Sequence, residues 1–175
     1  MPTRDQRQVH NLDRSLPRPL DYKGFRFRDI DHLYLAVMVE RIGGPDRLHT
    51  VAKHGSMEAT MRLVEHCYHT ASKMDLDAWD GGALDVLREI LCYCCNCHPG
   101  YLRALRKDSL LTLTEVHRRR LKGYTPPTEA YVMLCTQVKT LALTDRPPLP
   151  VWASGQRKSG RLANRGPCLD KRGCV

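Results

Sequence analysis

The sequence predicts an all-α protein of five or six short helices, with a Cys/His zinc site and a disordered basic C-terminal tail. Three observations carry that expectation. Apolar residues recur at three- and four-residue spacing through the middle of the chain, and no segment alternates in the period of two that a half-buried strand needs. Four cysteines and a histidine crowd into "CYCCNCH", residues 92–98. The net charge of +9 is split unevenly: residues 1–90 hold 13 Lys/Arg against 14 Asp/Glu and residues 91–175 hold 15 against 5, leaving −1 and +10.

Taken in order, residues 1–24 form a flexible arm, because Pro17 and Pro19 interrupt a polar stretch without apolar period. A helical domain follows over residues 25–145. Its first helix is the apolar "DIDHLYLAVMVERIGG", opened by Asp29 or Asp31 and stopped at Gly43-Gly44. Pro45 starts a second, short helix that runs to Gly55. Ser56 caps a third, where Met57, Met61, Val64, Tyr68 and Ala71 share one face.

The acidic, glycine-containing "DLDAWDGG" reads as a turn. A fourth helix then runs from about Ala83 through Leu84, Leu87 and Leu91 into the cysteines, and Pro99-Gly100 ends it. The fifth carries Leu102, Leu105, Leu110, Leu113 and Val116 and finishes on cations that suit the helix dipole. Thr125 or Thr128 caps a sixth, with Tyr131, Leu134, Val138 and Leu141 on one stripe. Residues 146–175, rich in Pro, Gly and cations, form the disordered tail. Within it "RPPLP", Arg146 to Pro150, reads as a linker in preference to a polyproline ligand.

The 175-residue chain is long enough to bury a core without a covalent staple. Its opening "MPTRDQRQVHNLDRSLPRPL" holds no apolar run of signal-peptide length, which predicts an intracellular protein with reduced thiols. Crowded cysteines then read as ligands more readily than as disulfides. His66 and His69 lie three apart on the third helix, as do Cys92 and Cys95 on the fourth. Antiparallel packing of these helices would face two imidazoles with two thiolates: a closed, structural Cys2His2 zinc site. Alternative ligand sets draw on Cys67, or on Cys94, Cys97 and His98.

The basic half predicts phosphate contacts, and hence nucleic acid as partner. The residues concerned are Arg103, Arg106 and Lys107, then Arg118, Arg119, Arg120 and Lys122, and in the tail Arg157, Lys158 and Arg161. Arginine outnumbers lysine 20 to 8, which favours bidentate phosphate recognition. Catalysis finds no motif: there is no Gly-rich phosphate loop, no H-E-x-x-H and no G-x-S-x-G. Cys97 and His98 are adjacent, whereas a thiol nucleophile and its base come from separate elements. The expectation is a non-enzymatic protein.

Over about residues 24–98 the chain resembles the geminivirus (begomovirus) pre-coat protein. The resemblance rests on "GFR" from Gly24, "YLAVMVERI", "SMEATMRLVEHCYH" from Ser56 to His69, and "CYCCNCH". Glu58, Ala59, Thr60, His66, His69 and the cysteines fall in the family's order, although the turn between histidines and cysteines is wider here and the basic tail has no counterpart. What the resemblance implies is a small viral accessory protein of the host cytoplasm or nucleus, which suppresses RNA silencing by binding RNA or a host silencing factor. Two other readings stay open at this point: a zinc-stabilised protein-interaction adaptor or nuclear regulator, and a matrix-like protein on acidic membrane surface.

Overall fold

The structure is a computed structural model and describes residues 12–107 and 123–153. Six α-helices dominate these residues: α1 (Ile30–Gly43), α2 (Asp46–His54), α3 (Met57–Thr70), α4 (Lys73–Cys97), α5 (Pro99–Lys107) and α6 (Thr128–Thr144). A two-stranded hairpin, β1 (Leu20–Tyr22) and β2 (Phe25–Phe27), precedes them, and a 3-10 turn (Val151–Ala153) follows.

The centre of the molecule is α1. Its side chains from Ile30 to Val39 are all buried, as is Ile42, so it is a helix surrounded by protein and not one with a wet face. Asp29 caps it, accepting the His32 backbone N–H at 2.8 Å. Packed against α1 are α2, α3, α4 and the hairpin, while α4, α5 and α6 pack on one another behind it. His32, inside this packing, ties three elements together. Its Nδ1 accepts the Arg28 backbone N–H at 3.4 Å, its Nε2 meets Thr60 Oγ1 of α3 at 3.2 Å, and its ring stands edge-on to Phe27. Burial pushes the pKa of this imidazole down, with Asp29 opposing, so it is held neutral.

The close seam between α1 and α3 depends on Gly43. A Cβ there would sit 2.6 Å from Cys67 Sγ, inside any tolerable contact. Gly43→Ala is therefore expected to destabilise the fold by about 1–3 kcal/mol, despite the helix propensity gained. Denaturation of Gly43→Ala, Cys67→Ala and the double variant checks this, since removing the sulfur should recover most of the loss; simple additivity would contradict the seam.

Four expectations are revised. Residues 75–82 are not a turn: α4 runs through Gly81-Gly82 without interruption. Ser72 accepts the Asp75 N–H at 3.1 Å and starts the helix, and Trp79 packs its ring on Tyr34 of α1 at 5.4 Å. Burial of Trp79 offsets the propensity cost of the two glycines, about 1 kcal/mol each. Since a Cβ on either would meet nothing within 4 Å, Gly81→Ala and Gly82→Ala should each raise stability by about 0.5–1 kcal/mol in thermal melts. No gain in either variant would mean that this stretch is not helical.

From Leu12 onward the expected arm is part of the fold. Leu12 and Leu20 are fully buried, and Arg14 is buried beside Asp31 of α1. The Lys23-Gly24 turn, with φ of 49° and 83°, closes the hairpin with Leu20 opposite Phe27. Tyr22 donates to Glu40 of α1 at 2.7 Å, and Lys23 pairs with the same carboxylate. Residues 146–153, expected within the tail, also pack. Pro147, Pro150 and Ala153 are buried, and Trp152 lies between Tyr22 and Tyr93.

Pro99-Gly100, expected to end the fourth helix, also open α5, which carries the predicted Leu102 and Leu105; whatever lies beyond Lys107 in the predicted fifth helix falls outside the described residues. At the start of α6 the cap position is Pro127 and not a threonine, with no side-chain cap bond.

Candidate nucleic-acid interface and the cysteine cluster

The cysteines occupy the last turns of α4. Cys92, Cys94 and Cys95 are buried there beside Cys135 of α6, and Cys97 is exposed. Burial pushes these thiols up, Cys95 to about 12 and Cys135 to about 11, with Cys94 raised well above its ordinary value. They are held as neutral thiols and pack as small apolar groups. A polar thread runs beside them: Tyr101 donates to the Tyr131 hydroxyl at 2.9 Å, and Tyr131 donates to the Leu12 carbonyl at 2.6 Å. Cys135 Sγ lies 3.9 Å from the Tyr101 hydroxyl.

His66 and His69 sit elsewhere, exposed on α3. Helices α3 and α4 each make their main contact with α1, so the expected direct seam between them is not how they pack. Of the alternate ligands, Cys67 is buried against Gly43, and the His98 ring Nε2 lies 2.9 Å from the Pro19 carbonyl. Among the described residues no three His, Cys, Asp or Glu side chains gather as ligands of one ion. A zinc centre made of His66, His69, Cys92 and Cys95 would need the two histidines brought to the thiols.

The basic residues of α5 divide by role. Arg106 directs its Nε to the Ala142 carbonyl at 2.7 Å and so ties α5 to the end of α6. Arg103 and Lys107, one turn apart, are exposed on a shallow groove of about 520 Å³ at the start of α5, which Arg18 and His98 also line. Among the described residues, none that lines this groove is a carboxylate. Arg18 is held in place from two sides, with its guanidinium 5.0 Å above the Tyr101 ring and Nη1 donating to the Asp13 carbonyl at 2.7 Å. Pro99 and Gly100 form the groove's helical wall, so the positive end of the α5 dipole adds to the side-chain charge.

Such a groove offers one anchored cation, Arg18, and two exposed ones, Arg103 and Lys107, to an anion such as a phosphodiester. Arg18 was missed from sequence because it fell in the supposed arm. The signal that could have found it is the Lys-Gly turn between "LDY" and "FRF", which marks a hairpin and hence an anchored residue before it. The remaining predicted contacts, Arg118, Arg119, Arg120, Lys122, Arg157, Lys158 and Arg161, lie outside the described residues.

Comparison with protein-family models, curated proteins and solved structures finds no match to this chain. No helix among the described residues is long and apolar enough to cross a membrane.

Proposed function

We propose that this is a non-enzymatic RNA-binding protein, acting in the host cytoplasm or nucleus as a viral suppressor of RNA silencing. The observation that carries the binding half of this reading is the groove at the start of α5, where Arg18, His98, Arg103 and Lys107 converge with no carboxylate among them. Phosphate contacts need cations that are positioned, and Arg18 is positioned by the Tyr101 ring. The excess of cations in residues 91–175 extends the favourable field beyond the groove. The biological role rests on the resemblance to begomovirus pre-coat proteins.

The test is RNA affinity of the full chain against salt concentration. Affinity should fall steeply between low and physiological salt, and Arg103→Glu with Lys107→Glu should weaken binding and lower the magnitude of the salt slope by about 2. A binding constant indifferent to salt would overturn the reading, as would capture by anionic liposomes without RNA binding. The suppressor role is checked by whether the same pair of substitutions abolishes protection of a silenced reporter.

A further inference from the structure

A second groove, lined by residues of α1, α3 and α4 and by the segment before α6, has the opposite character. It has a volume of about 480 Å³ and is walled by Tyr34, Tyr68, Trp79 and Tyr124, with Asp80 at its edge. The rings come in two pairs, Tyr34 with Trp79 and Tyr68 with Tyr124, each with centroids 5.4 Å apart. Tyr34 and Trp79 are almost wholly buried and form the floor, while Tyr68 and Tyr124 are half-exposed and form the wall.

Among the described residues, the charge acting on these rings is mostly acidic: Arg14 also acts on Tyr34 but is paired with Asp31 beneath the groove, which leaves Asp80 and Glu65 at its rim. Among the described residues, none that lines the groove is Lys or Arg. The Asp80 carboxylate is close enough to act on the Tyr34 phenol, and Glu65 on Tyr124. Both phenols are raised above their ordinary range, mainly by desolvation, so the rings stay neutral. Neutral aromatic rings present a negative face, and several rings beside a carboxylate make a setting for a large, weakly hydrated cation. A phosphate would meet Asp80 and Glu65 as like charges. A small, strongly hydrated ammonium would lose more water than the rings replace.

We propose that this groove binds a trimethylated lysine side chain of a basic peptide segment in a partner protein. The methyl groups give the ammonium the size and weak hydration that the rings reward, and Glu65 and Asp80 complement cations flanking it. One headgroup carries one charge and the groove has two carboxylates beside it, which favours a basic peptide over a zwitterionic lipid.

Calorimetric titration of the full chain tests this, with one short basic peptide in two forms, unmodified and trimethylated at a single lysine. The trimethylated form should bind at least about tenfold more tightly. Tyr124→Ala and Asp80→Asn should each remove most of that preference, with far-UV circular dichroism as the check on folding. Asp80 is exposed, so its substitution reads the groove even if the tyrosine change perturbs the fold. Equal affinity for the two peptides would overturn the proposal. So would a preference that survives both variants, or binding of phosphocholine vesicles or a proline-rich peptide in place of the trimethylated one.

Discussion

Replacing Arg14 by leucine is expected to cost about 3–5 kcal/mol of folding stability at neutral pH, the penalty for leaving a buried charge without its partner. Arg14 Nε lies 3.2 Å from Asp31, and the two side chains are only 7% and 10% exposed. The guanidinium also donates to the Pro126 carbonyl at 3.2 Å and lies 4.8 Å over the Tyr131 ring. One side chain thus joins the N-terminal segment to α1, to the segment before α6, and to α6 itself. The pair is not ideal, because Nε makes no aligned hydrogen bond. Arg14→Leu with Asp31→Leu should therefore recover at least half of the loss.

The same pair sets a pH dependence. Burial pushes the Asp31 carboxyl up to about 6, with Arg14 opposing and Asp29 and Asp13 adding to the rise. The folded protein thus holds a proton that the unfolded chain has released between about pH 4 and 6. The contribution of Asp31 to stability is greatest below that window and declines as pH rises through it, by on the order of 2–3 kcal/mol. Without Arg14 the carboxyl rises further. Arg14→Leu should then lie nearest the parent protein around pH 5 and furthest from it at pH 7.5 and above. Urea midpoints measured across pH would expose an error in this account if the gap were constant.

Trp152→Ala should cost about 2–3 kcal/mol, a large effect for a half-buried residue so close to the basic tail. The indole stands edge-on to Tyr22 at 5.0 Å and to Tyr93 at 4.9 Å, and its Nε1 donates to Glu89 at 2.9 Å. Each aromatic pair contributes about 0.5–1.5 kcal/mol beyond the area it buries. Asn96 secures the same strap further back, donating to the Pro147 carbonyl at 2.8 Å. Trp152→Phe should keep the ring contacts, lose the Glu89 bond, and cost about 1 kcal/mol. A chain ending at Asp145 should lose as much as the alanine variant; an unchanged midpoint in both would mean that the strap does not hold.

Legibility followed from where the stabilising interaction sits. Helix α1 could be read from its apolar run between Asp29 and Gly43-Gly44, and α3 and α6 from their apolar spacing, with Ser56 capping α3, because all of these signals are local. The hairpin was harder, since three-residue strands are too short for alternation to register, and only the Lys-Gly turn marks them. Continuity of α4 through Gly81-Gly82 was hidden because local propensity opposes it. The candidate groove was half visible: Arg103 and Lys107 stood out as cations, whereas Arg18 entered only when the hairpin brought it to the Tyr101 ring.

By itself, the sequence determined a mostly helical chain, the positions of its strongest helices and the polarity of its charge, since these depend on residue type and short-range spacing. Only the tertiary structure decided that Leu12 and Trp152 belong to the fold, that α1 is the common neighbour of α3 and α4, and that Cys92, Cys94 and Cys95 are buried beside α6 while His66 and His69 stay exposed. Those outcomes depend on contacts between residues far apart in the chain, such as Tyr131 with Leu12 and Trp152 with Tyr22, for which no local pattern is required.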